Sequence, residues 1–128
     1  MNLISKEKMR IKIKVATAAL LVVCMAGCSS EPSASDIDSA VRKSTDDANK
    51  AAIEMATAFA GAKAVESMKD AIPQLKINSA KKVGCKEDGS NAYKCDVEYD
   101  AEQPLMGRVQ TIVPMRFVKG SNGWAVAN

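Results

Sequence analysis

Tyr93-Lys94-Cys95-Asp96-Val97-Glu98-Tyr99-Asp100 alternates apolar and charged residues without a break. Side chains on a strand point to opposite faces in turn, so the run predicts a β-strand with one dry and one wet face. The residues before it, Lys86-Glu87-Asp88-Gly89-Ser90-Asn91, have turn composition. A partner strand is expected from Leu75 and Ile77 through Val83 to Cys85, with room for a bulge at Ala80-Lys81-Lys82. Antiparallel pairing about Ser90 sets Cys85 opposite Cys95, Val83 opposite Val97, Lys81 opposite Tyr99, and Glu98 facing Lys82.

After Glu102-Gln103-Pro104 and the loop Leu105-Met106-Gly107, alternation resumes from Arg108 to Lys119 around Val109, Thr111, Val113, Met115 and Phe117. Pro114 cannot donate to a ladder, which points to an edge or a bulge. Gly120-Ser121-Asn122-Gly123 then turns into a last strand, Trp124 to Ala127. Phe59, Phe117 and Trp124 are expected in the core, with Tyr93 and Tyr99 at its rim.

Upstream the period changes from two to that of a helix. Ser35 can cap it, with Asp36 and Asp38 in the first turn, and Ile37, Val41, Ala48, Ala52, Met55 and Phe59 form an apolar stripe. Ser44 and Thr45 stand where an apolar turn is missing. Gly61 should end or kink the helix, and Val65, Met68 and Ile72 extend the stripe to Pro73. The many alanines from Ala51 to Ala60 would allow a second helix close by, but the repeat does not run over the ~3 to 4 heptads of a coiled coil. The expected class is therefore α+β: an N-terminal amphipathic helix, with a second after Gly61, packed on a four-stranded antiparallel meander.

Lys6, Lys8, Arg10, Lys12 and Lys14 precede an apolar run from Val15 to Gly27, broken only by Thr17. This is the shape of a secretory signal, and it falls short of the about 20 residues needed to cross a ~30 Å hydrocarbon core. Met25-Ala26-Gly27-Cys28 resembles the lipobox of bacterial lipoproteins, with Met25 where Leu is usual. The resemblance implies cleavage before Cys28 and a lipid on its thiol, whether translation starts at Met1 or Met9. Residues 1–27 are then a signal peptide, 28–35 a lipidated tether whose stretch from Ser29 to Ser35 reaches ~23 Å at full extension, and 36–128 the α+β domain. Ser29 and Ser30 lack the Asp that retains enterobacterial lipoproteins in the inner membrane, so the resemblance implies the outer membrane, facing the periplasm.

The leader carries five of the 18 basic residues and one of the 15 acidic ones, which leaves 13 against 14 in the mature chain. That balance offers no attraction for nucleic acid. Cys24 leaves with the leader and Cys28 takes the lipid, so Cys85 and Cys95 remain as an even pair, read as a disulfide. A redox pair would show Cys-x-x-Cys spacing.

The chain has no His, and no glycine-rich phosphate loop follows a strand. These absences remove the usual triads, the commonest general base and the commonest transition-metal ligand. Asp96, Glu98, Asp100 and Glu102 line one strand face about 6.5 to 7 Å apart, too sparse to hold Ca²⁺ alone. They are expected as a solvated row that can meet a basic partner. No cofactor or metal is expected.

The ending Met115 to Val126 resembles the closing hairpin of cystatin-like and nuclear-transport-factor-like domains, in which a helix packs on a curved sheet. The expected function is a non-catalytic binding or assembly module anchored in the cell envelope, with an envelope protein as partner. Two alternatives stand beside it. One is a defence lipoprotein that inhibits a lysozyme or excludes a phage through Lys86 to Asn91 or Glu102 to Gly107. The other is a small-ligand carrier with a pocket between helix and sheet.

Overall fold

The computed structural model describes residues 31–127, so Cys28 and the segment expected as a signal peptide lie outside the described residues. Helix α1 (Ala34–Ala60) leads to a short α2 (Ala62–Met68), a 3-10 turn (Lys69–Ala71) and four strands. These are β1 (Lys76–Glu87), β2 (Ala92–Gln103), β3 (Gly107–Gly120) and β4 (Gly123–Ala127). The sheet is an antiparallel meander in the order β1-β2-β3-β4, packed against the long helix.

The helix starts one residue past Ser33, not at Ser35. Ser33 Oγ accepts from Asp36 N–H at 3.1 Å, and Asp36 Oδ2 accepts from Ser33 N–H at 2.8 Å. This closes a capping box. Ser33→Ala should lower stability by about 1 kcal/mol, read from the urea midpoint, since it opens one side of that box.

Only the first half of α1 builds the core. Ile37, Ala40, Val41 and Thr45 are buried. Thr45 fills the apolar gap because its hydroxyl donates to Val41 O at 2.9 Å, so the helix satisfies its only polar group. The stripe expected to continue through Ala48, Ala52, Met55 and Phe59 is exposed, and Phe59 is 87 % accessible. The reason is rotational. Past Asn49 the half-buried residues are Ile53, Ala56 and Thr57, on the side where α2 folds back and Val65 is buried. Gly61, at φ 83°, makes that reversal in a conformation that suits glycine.

In the sheet, Cys85 does pair with Cys95, and the two form a disulfide. The expected partners further along β1 are displaced by two bulges, at Asn78 and Val83 rather than at Ala80 to Lys82. An unbulged ladder would press Lys81 against Tyr99 on the helix face. The bulge at Val83 instead sets Ala80 opposite Tyr99 and turns Lys81 outward to Glu98, at 3.6 Å. Val83 is left 57 % exposed, a smaller loss than a buried ammonium. The bulge at Asn78 brings Ile77 inward opposite Ala101 in the same way.

Tyr99 lies in the core rather than at its rim, and Tyr93 stacks edge-on against half-buried Trp124 with ring centroids 5.9 Å apart. Pro114 does not interrupt β3, whose pairing with β2 runs unbroken from Gly107 to Val118. Phe117 is fully buried between the helix and sheet layers.

Candidate functional site

A cleft of about 1060 Å³ opens between the middle of α1, the segment that leads into β1, and the end of the β2–β3 hairpin. Its walls are held by side chains that clamp backbone. Asn49 pairs with Leu75 as a strand neighbour would: its Nδ2 donates to Leu75 O at 2.8 Å and its Oδ1 accepts Leu75 N–H at 3.0 Å. One helical residue thereby fixes the chain just before β1.

Arg42 and Asp38 hold the first bulge. Arg42 donates to Ile77 O at 3.0 Å, to Asn78 O at 3.2 Å and to Asp38 Oδ2 at 2.7 Å. Asp38 Oδ1 accepts Ala80 N–H at 3.3 Å. The guanidinium fork suits this task because its parallel donors reach both carbonyls at once.

Asn78 continues the network from the bulge into the sheet. Its Nδ2 donates to Asp100 Oδ1 at 3.2 Å, and Arg108 reaches both Asp100 oxygens at 3.0 and 2.6 Å. Asp100 is only 4 % exposed, so it is withdrawn from the solvated acidic row. The paired Arg108 and the Asn78 amide hold its carboxyl well below the usual range, at about 2.

A carboxylate held low stabilises the fold only while it is ionised. Its contribution is present above the ordinary aspartate value of 3.8 and is lost as the pH falls through about 2. Urea unfolding between pH 5 and pH 2 should therefore show an acid limb, flattened in Asp100→Asn. It should not vanish, because Ser33 also lowers Asp36 and Arg42 lowers Asp38.

The rest of the row is only partly offset by bases. Glu98 faces Lys81, and Glu102 stands opposite Lys76 on one side and Arg108 on the other. Asp96 lies between Gly84 and Pro114 with no cross-strand base. The row is thus three exposed or half-exposed acids among three bases, not a continuous negative stripe. Of the two candidate loops, Lys86 to Asn91 is pinned by Arg116, whose Nε donates to Asp88 Oδ2 at 2.7 Å. The other, Glu102 to Gly107, borders the cleft and carries fully exposed Leu105 at φ 68°.

Among the described residues, the groups at the cleft that make no hydrogen bond through their side chains include Asp46, Asp70, Gln74 and Glu102. They are free to meet a ligand. The clamps Asn49, Arg42 and Arg108 do not stand out in the sequence pattern. A signal did exist for Arg108: pairing across Leu105 makes it the diagonal neighbour of Asp100. None existed for Asn49, whose partner is 26 residues away.

The folded unit begins before α1. Lys82 reaches Glu31 Oε1 at 2.6 Å and Pro32 O at 2.9 Å, and Pro32 is buried. The segment expected as tether up to Ser35 is thus fixed from Glu31 onward. No described helix is long and apolar enough to cross a membrane. No family model, curated protein or solved structure matches this chain.

Proposed function

We propose that the chain is a lipid-anchored lipoprotein of the cell envelope, facing the periplasm from the outer membrane, whose domain binds a partner protein without catalysis. The basic leader and the Met25 to Cys28 box support the anchor. The grip of Lys82 on Glu31 and Pro32 supports close attachment, since the three-residue step from Cys28 to Glu31 spans at most about 11 Å. The observation that carries the binding role is the cleft. Its backbone is fixed by Asn49 and Arg42, while Asp46, Asp70, Gln74 and Glu102 remain open to a ligand. A preorganised wall lowers the ordering cost of association.

Photo-reactive residues at Asp46 and Gln74 in intact cells test this reading, with exposed Lys94 on the outer sheet face as the control. One envelope protein captured from both cleft positions and not from Lys94 is the expected result. Capture from all three, or from none, would remove the protein partner. The size of the cleft also suits a small ligand, and native mass spectrometry of the purified full chain should then reveal a retained molecule. The anchor is tested separately, since Cys28→Ser should abolish lipid labelling and leave unprocessed precursor.

A further inference from the structure

Strand β3 is 14 residues long, yet β4 pairs only with Arg116 to Gly120. Over residues 107–115 no described residue pairs with the second edge of β3. One bond sets the direction of the open groups. Lys119 N–H donates to Asn91 O at 2.8 Å, on the β2 side. Alternate residues of an antiparallel strand point their N–H and C=O the same way. The backbone groups of Arg108, Gln110 and Ile112 therefore point out along the free edge. Pro114 falls in the same phase, so the N–H it lacks is one that β2 does not need.

This edge is long, β-branched and poorly protected. Val109, Thr111, Ile112 and Val113 lie on it, and its one charged residue, Arg108, is engaged by Asp100. Protein edges of this kind are ordinarily blunted by charges, prolines, bulges or covering segments, of which residues 107–115 carry only Arg108 and Pro114. We propose that the edge pairs with the same edge of a second copy of this chain, antiparallel about a twofold axis at Gln110. The two sheets then form one eight-stranded sheet.

The sequence of the edge selects both the occupant and the register. With the axis at Gln110, Arg108 stands opposite Ile112 of the second copy, Gln110 opposite Gln110, and Ile112 opposite Arg108. Three pairs give about six backbone hydrogen bonds, and none needs the N–H missing from Pro114. Moving the axis toward Pro114 sets Arg108 opposite Pro114 or Arg116 of the other copy, which loses donors or opposes like charges. Moving it toward Arg108 pushes Ile112 opposite the turn residue Met106. In the chosen register, the turn of each copy reverses just before it would meet the end of the other's β4. Exposed Leu105 and Met106 then lie beside Pro114 and Met115 of the other copy.

The proposal does not depend on the lipid anchor or on the cleft. Its test is the full chain carrying Gln110→Cys, oxidised mildly and run without reductant, with the unsubstituted chain as baseline for its other cysteines. A covalent dimer at least about tenfold above that from exposed Lys94→Cys is expected, since only residue 110 meets itself. In detergent, the unsubstituted chain should sediment as a dimer. Gln110→Lys, which sets two ammonium groups face to face, should weaken the dimer by about tenfold or more with an unchanged circular dichroism spectrum. A monomer at tens of micromolar, or cross-linking of Gln110→Cys no better than Lys94→Cys, would overturn the proposal. So would a Gln110→Cys adduct with a different protein, which would mark the edge as a site for a foreign strand.

Discussion

Truncation of Phe117 to Ala should cost about 3 to 5 kcal/mol of unfolding free energy, the range for emptying an aromatic site in a close-packed core. Phe117 is the largest fully buried side chain and sits where β2 and β4 both flank β3, paired with Tyr93 and Val126. Helix α1 covers this region with Ile37, Ala40 and Val41. A domain of this size has only about 5 to 15 kcal/mol in total, so the variant should lose a large fraction of its stability. The matched control is Phe59→Ala, the same chemical change at a site 87 % exposed, which should stay within about 0.5 kcal/mol. Urea titrations of the two variants decide whether the core ends at Thr45. A large loss at Phe59 would mean that the second half of α1 is covered in solution.

The sheet was legible because alternation is a local property. Tyr93 to Asp100 fixes its own faces, and the turns around Gly89 and Gly123 fix its neighbours. The disulfide follows from the even pair of cysteines, which the same register sets opposite each other. The bulges were partly legible: apolar positions Ile77, Ala80 and Cys85 are separated by odd steps, which a period of two cannot carry on one face without an inserted residue. Val83, apolar and in phase with Cys85, conceals this. What could not be read was the rotation of the helix past Asn49, since Ala48-Ala52-Met55-Phe59 and Ile53-Ala56-Thr57 are both apolar stripes of helical period. The choice between them is made by α2, through the reversal at Gly61. The burial of Asp100 was hidden for a similar reason. Its position on the wet face is correct, but Arg108 and the bulged Asn78 close over it from two other strands.

Loss of the Cys85–Cys95 disulfide should destabilise the domain by about 2 to 3 kcal/mol, the chain-entropy value for so short a loop. The two single substitutions should not cost the same. Cys95 is fully buried in the core cluster, while Cys85 is only half-buried beside it. Cys95→Ala removes a core sulfur as well as the bond, so it should be the more destabilising by up to about 1 kcal/mol. Location distinguishes the disulfide from Phe117. Beyond the bulge at Val83, only Gly84 to Glu87 of β1 remain on the ladder, and there Lys86 stands opposite Lys94 of β2, a pair of like charges. That end of β1 is therefore weak without its covalent link, whereas Ile77 to Lys82 are held independently by Arg42, Asp38 and the Glu31–Lys82 pair. Hydrogen exchange should show the amides of residues 84–87 and 92–95 opening first on reduction, with those of residues 77–81 keeping their protection. Uniform acceleration across β1 would instead mean that the disulfide acts only through global stability, and that the bulge at Val83 does not divide the strand.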